Sequence, residues 1–131
     1  MNVSVDLLDS IRTHLVDFEL PALWSIDITT SATGPSVSVQ LASHQQSGIA
    51  SGLLTWADTL GEVTAEAWRI PSGESVHLSV IGRLSDGATV RVYGGVPFTG
   101  LNAGVELAPD VHITIPLAVL RAMATLGEAI L

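Results

Sequence analysis

The sequence predicts a two-layer α+β domain, a largely antiparallel sheet with helices on one face, in the order αββαβββ(β)α. Three observations carry that expectation. Several stretches alternate apolar and polar residues with the period of two that marks a half-buried strand. Three others space apolar residues three or four apart, as amphipathic helices do. The turns between the strands are short, so neighbouring strands run antiparallel and the helices collect on one side. At 131 residues the chain fits a single domain, 1–131, large enough to bury a core without a covalent staple.

The first helix is expected from about Val5 to Asp17, where Leu8, Ile11, Leu15 and Phe18 form a stripe. Asp6 and Asp9 favour its positive end and Ser4 is placed to cap it. After Pro21, "LWSIDITT" alternates Trp24, Ile26 and Ile28 with Ser25, Asp27 and Thr29, which puts Trp24 on the apolar face. "SATGP" is turn chemistry, and Val37, Val39 and Leu41 continue the alternation, giving a hairpin. Ser43 to Gln46 has the form of a capping box for a second helix that runs to Leu60, with Ile49, Leu53, Trp56 and Leu60 as its stripe.

Three strands follow, at about Val63 to Ile70, Ser75 to Leu84 and Ala88 to Gly95. Their registers follow from turn length. The four-residue "PSGE" link pairs Ile70 with Ser75, which sets Trp68 opposite His77 and Glu66 opposite Ser79. A three-residue Ser85-Asp86-Gly87 loop, with Gly87 left-handed, keeps polar and apolar faces apart, where a two-residue loop would mix them. Ser79 then faces Tyr93 and Ile81 faces Arg91. From Val96 to Pro109 the chain is irregular, with room for a short extra strand. "DVHITI" reads as a strand, and Pro116 starts a last helix.

Composition narrows the function classes. There is no cysteine, which removes disulfides, thiolate metal sites and thiol nucleophiles. There is no lysine either, so a P-loop is impossible, and Gly94-Gly95 lacks any phosphate-binding context. Thirteen carboxylates against five arginines leave a net charge of −8, which argues against nucleic acid as a partner. The four histidines, at 14, 44, 77 and 112, form no local ligand motif, so neither a metal nor a cofactor is expected. The amino-terminal residues lack a signal-peptide pattern and no apolar run is long enough to span a membrane; a cytoplasmic location is expected. Charged residues are only 14% of the chain, against about 25% in an average soluble domain, and mean hydropathy is +0.49. So little charge points to apolar surface set aside for a partner.

Two surfaces are candidates. The outward face of the central strands carries Glu66, Trp68, His77, Ser79, Arg91 and Tyr93, and Trp, Tyr and Arg are enriched at binding hot spots. Ser79, His77 and Glu66 suggest a triad, but side chains standing on an open sheet have no oxyanion hole, so no catalytic residue is assigned. The last helix spreads Leu117, Val119, Leu120, Met123, Ala124, Leu126, Ile130 and Leu131 around about half its circumference, wider than the stripe of about 100° that an ordinary surface helix shows. Either a groove within the chain covers it, or Leu120, Met123 and Ile130 meet a second copy across a twofold axis. Gly48-x-x-x-Gly52 on the second helix would also admit a close neighbour.

"LTWADTLGEVTAEAWR" followed by "VHLSVIGRLSDGATVRVYGG" resembles small uncharacterised proteins of actinobacteria, some encoded in phage-like or mobile segments. The likeness covers about Leu20 to Gly95. It implies an accessory protein and assigns no residue a role. The expectation is therefore a non-enzymatic protein-interaction module that self-associates, as a homodimer. The alternatives are a small-molecule binder or enzyme on the same sheet face, beneath a lid formed by Val96 to Pro109, and an acidic inhibitor or nucleic-acid mimic. Carboxylates scattered from Asp6 to Glu128 without a run tell against the last.

Overall fold

The alternation of valines through the middle of the chain becomes one six-stranded sheet with all three helices on the valine side. The computed structural model describes residues 3–31, 34–43, 45–97 and 107–129. In chain order the elements are α1 (Val3–Asp17), β1 (Leu23–Ser31), β2 (Gly34–Leu41), α2 (Gln46–Ala57), β3 (Gly61–Arg69), β4 (Ser75–Arg83), β5 (Thr89–Pro97), β6 (His112–Ile115) and α3 (Leu117–Ala129). This is the predicted order of helices and strands. The short extra strand considered before Pro109 falls largely outside the described residues.

Strand order across the sheet is β1-β2-β5-β4-β3-β6. Every neighbouring pair is antiparallel except β2 and β5. The crossover through α2 carries the chain past two strand positions, and the β3-β4-β5 meander then returns to lie beside β2. The registers match those argued from turn length: Trp68 pairs with His77, Glu66 with Ser79, Ser79 with Tyr93 and Ile81 with Arg91. Gly87 has φ +89° and donates its N–H to the Leu84 carbonyl, while Leu84 donates to Ala88, which closes the three-residue loop.

The core lies between the sheet and the helix layer. Val37, Val39, Val76, Val80, Val90 and Val92 from the sheet meet Ile49, Leu53 and Trp56 of α2, all fully buried. Gly94 lies among them. A Cβ there would stand 2.9 Å from three side-chain carbons of Ile49, so its absence lets α2 settle onto β5.

Several local expectations need correction. α1 starts at Val3, which places Ser4 inside the helix rather than before it. Ser43 does not cap α2: the helix starts at Gln46 with Gln45 as its extended N-cap, and Ser43 Oγ accepts from the Gln45 N–H at 3.3 Å. The glycines of α2 make room for side chains of this same chain. A Cβ on Gly52 would lie 2.9 Å from Leu41 Cδ1, and one on Gly48 would collide with Ser43 Oγ.

Part of the apolar arc of α3 is buried within the chain. α3 lies alongside α2, and Leu120 and Met123 are 0% and 1% exposed in the common core. Leu120 and Met123 are therefore not available to a second copy, and Ile130 lies outside the described residues. Among the described residues no helix is long and apolar enough to cross a membrane.

Candidate functional site

The face of the sheet opposite the helices carries a row of rings that crosses the strands. β6 pairs with β3 so that His112 stands beside Trp68, which stands beside His77 on β4. His112 and Trp68 stack with centroids 5.1 Å apart and planes 9° from parallel. Trp68 meets His77 edge to face at 5.3 Å, and His77 stacks on Tyr93 at 5.9 Å. Arg91 continues the row, its Cζ 5.1 Å from the Tyr93 ring centre. Offset and edge-on arrangements of this kind are those the ring quadrupoles favour.

The row bends between His77 and Tyr93 because the residue directly across from His77 is Gly95. With no side chain there, His77 reaches diagonally to Tyr93, which pairs with Ser79 on one side and Gln40 on the other. The space left above Gly95 is a pocket of about 340 Å³, walled by Trp24, Gln40, Ser43, His77 and Tyr93. Tyr93 Oη donates to Gln40 Oε1 at 3.5 Å, and Ser25 Oγ donates to the same oxygen at 3.5 Å.

Trp24 reaches this pocket through a β-bulge. Leu23 pairs with Leu41 and Ser25 with Gln40, so the extra residue between them is Trp24, and parity slips there by one. Trp24, expected on the apolar face, is instead 69% exposed. Beyond the bulge Ile26 and Ile28 pair with Val39 and Val37 on the helix side, as the alternation predicts.

The other end of the row is held by the turn before β6. Trp68 Nε1 donates to Asp110 Oδ1 at 3.2 Å, and Asp110 adopts φ +60°, a left-handed conformation that Asp tolerates better than most residues. Its N–H donates to the Arg69 carbonyl at 2.7 Å. The Arg69 guanidinium bonds the carbonyls of Gly73 and Leu107, both at 2.9 Å, and so ties the β3-β4 turn to the segment that leads into β6.

All six residues expected on this face are on it. Glu66, Trp68, His77, Arg91 and Tyr93 are half-buried, and Ser79, at 2% exposed, lies beneath its neighbours with its hydroxyl withdrawn from solvent. Burial lowers the His77 pKa from its usual range, and the Arg91 charge adds to the effect. Among the described residues no cluster of His, Asp and Glu is arranged to hold a metal. The lid expected from Val96 to Pro109 falls mostly on residues outside the description.

Sequence reasoning missed His112, Asp110, Trp24 and Gln40. The alternation of "HITI" did place His112 opposite in sense to Ile113 and Ile115, but its neighbour on β3 depends on strand order. The bulge at Trp24 has no local signature.

A larger cavity, about 680 Å³, lies between α1, the α2-β3 turn and the β4-β5 turn. Several of its polar groups bond one another. Ser10 hydrogen-bonds Asp86, Arg83 Nε pairs with Glu62 at 2.8 Å, and His14 Nε2 lies 2.8 Å from Thr59 Oγ1. The Thr59 hydroxyl hydrogen goes to the Trp56 carbonyl at 2.7 Å, so His14 Nε2 carries a proton and donates. His14 also stacks on Trp56, and burial lowers its pKa against a weaker opposing pull from Asp17. This cavity is the seam that docks α1, whereas the ring row turns half-exposed aromatic surface to solvent. Comparison with protein-family models, curated proteins and solved structures finds no match for this chain.

Proposed function

We propose that the chain is a non-enzymatic protein-interaction module that seats a segment of a partner protein on the open sheet face. The observation that carries this reading is the continuous row His112, Trp68, His77 and Tyr93, ending at the pocket above Gly95. Rigid aromatic side chains give large contact area at little entropic cost, and an adjoining pocket accepts one anchoring side chain of the partner. Glu66, Arg91 and Asp110 at the margins supply a polar rim of mixed sign. With a net charge of −8 and no lysine, the surface suits a peptide better than a phosphate backbone.

A second reading, a small neutral ligand in the pocket, draws on its volume, which reaches the lower end of the range of about 300–1,000 Å³ typical of small-molecule sites. One experiment addresses both. Peptides selected from a displayed library against the wild-type chain are expected to lose binding on Trp68→Ala and on Tyr93→Ala, with backbone amide shifts confined to β3, β4, β5 and β6. Binding that survives both substitutions, or shifts that map to the α1 cavity, would overturn the assignment. A fragment that perturbs Gln40, His77 and Gly95 alone, with no peptide selected, would favour the second reading.

A further inference from the structure

One charge on the ring face has no counter-charge within the fold. Arg91 stands half-buried on the outward side of β5, with its Cζ 5.1 Å from the Tyr93 ring centre. Among the described residues its guanidinium makes neither a hydrogen bond nor an ion pair. Thirteen carboxylates compete for five arginines in this chain, and elsewhere the contest is settled. Arg83 pairs with Glu62 and bonds the Gly87 carbonyl, while Arg69 bonds the carbonyls of Gly73 and Leu107.

Register explains why no carboxylate meets Arg91. Directly across from it stand Ser38 on β2 and Ile81 on β4, neither of them charged. Asp27 and Glu66 share the outward face but lie two strands away on either side, in register with Ser38 and Ser79. Two strand spacings are about 10 Å, and the guanidinium lies over the Tyr93 ring instead of reaching across to either acid.

That position suits a ligand. Stacking on a ring restricts the arginine side chain before anything binds, and its planar fork matches a carboxylate through two parallel hydrogen bonds. Neutral donors stand close by. Gln40, in register with Tyr93, spends its Oε1 on Tyr93 Oη and Ser25 Oγ, which leaves its amide N–H groups without a partner among the described residues.

We propose that the partner segment seated on the ring row carries one acidic side chain, a glutamate or an aspartate, whose carboxylate pairs with Arg91. Such a partner presupposes the protein-interaction reading above and gives it a chemistry. The charge of −8 limits the segment to a single carboxylate among uncharged residues, because a run of acids would meet repulsion that salt screens only beyond about 8 Å at physiological ionic strength. A side chain fits better than a chain end. Arg91 and Gly95 flank Tyr93 along β5, so a segment that follows the row into the pocket above Gly95 passes Arg91 at its side.

The test uses peptides selected from a displayed random library against the wild-type chain and resynthesised with amidated carboxyl termini, so that acidic side chains are their only carboxylates. The selected peptides are expected to share one Asp or Glu at a fixed spacing from an apolar anchor. Changing that acid to its amide, Asn or Gln, is expected to weaken binding to the wild-type chain about tenfold or more. The same change is expected to leave binding to Arg91→Gln unaltered, since that variant has already lost the pair. The peptide-side change is read on the wild-type chain, so its outcome does not depend on how well the variant folds. Peptides that lose binding on Trp68→Ala yet tolerate the acid-to-amide change, or that bind Arg91→Gln as tightly as wild type, would overturn the Arg91 pairing and leave the interaction module standing. Peptides whose binding is lost on amidation of the carboxyl terminus would overturn it in favour of a chain end. A library that yields no binder to the ring face would overturn both.

Discussion

Gly94 and Gly95 are adjacent in sequence and face opposite sides of the sheet, so substituting each by alanine tests the two layers separately. At Gly94 the new methyl group would lie 2.9 Å from Cδ1, Cγ1 and Cγ2 of Ile49, where carbon atoms normally pack about 3.5–4.0 Å apart. Ile49 is fully buried among the core side chains, so it can move only by displacing them. Overpacking of this kind costs about 1–3 kcal/mol, offset by roughly 0.5–1 kcal/mol from the lower backbone entropy of alanine in the unfolded chain. The net expectation for Gly94→Ala is a loss of about 1–2 kcal/mol, or a Tm lower by about 3–10 °C. At Gly95 the new atom would lie 3.5 Å from His77 Cδ2, an ordinary contact, so Gly95→Ala is expected to be neutral or stabilising by up to about 1 kcal/mol. It would, however, narrow the pocket and weaken whatever anchors there. Urea denaturation with matched slopes measures both variants. Ile49→Val, which removes Cδ1, should recover part of the Gly94→Ala loss, so that the double variant is less destabilised than the sum of the single ones. Equal stability of the two alanine variants, or a Gly94→Ala chain as stable as wild type, would refute the account of how α2 sits on β5.

Three further outcomes follow from the structure. Leu120→Ala should cost about 2–5 kcal/mol by leaving a cavity within the monomer, with an unfolding midpoint that shifts by the same amount at low and high protein concentration; a loss seen only in concentrated samples would put Leu120 at an interface. His14 and His77 both have folded pKa values below the unfolded value of 6.5, so the unfolded chain binds more protons as acid is added. Their contribution to stability is present above about pH 6.5 and is lost as pH falls toward the depressed folded values, so chemical denaturation at pH 5.5 should show lower stability than at pH 7.5, with His14→Gln reducing the difference; a chain equally stable at both would contradict it. Arg69→Ala should cost about 1–3 kcal/mol by leaving the Gly73 and Leu107 carbonyls without its guanidinium, and near-ultraviolet circular dichroism should report a loosened Trp68 environment; an unchanged spectrum would show that the turn holds without it.

The parts legible in the sequence are those governed by local periodicity and turn length. Alternation assigned Val76, Val80, Val90 and Val92 to one face and Glu66, Trp68, His77, Arg91 and Tyr93 to the other. The loop counts at "PSGE" and Ser85-Asp86-Gly87 then aligned those residues across β3, β4 and β5. Each of these depends only on residues a few positions apart, because side chains of a strand alternate and a hairpin's register is set by its turn. For α3, periodicity measures how much of a helix is apolar and not what covers it.

What only the tertiary structure decided involves neighbours distant in sequence. The parallel pairing of β2 with β5 brings Gln40 beside Tyr93, and the addition of β6 to β3 extends the ring row to His112, contacts separated by 53 and 44 positions in the chain. The bulge at Trp24 turns that ring from the helix side to the pocket because the strand must absorb one extra residue against β2. The packing of α3 along α2 buries Leu120 and Met123, which a helical wheel alone leaves open to a second copy. Local pattern determines which way each residue faces; strand order and helix placement are chosen by the total apolar area the whole chain can bury, and no short stretch of sequence contains that sum.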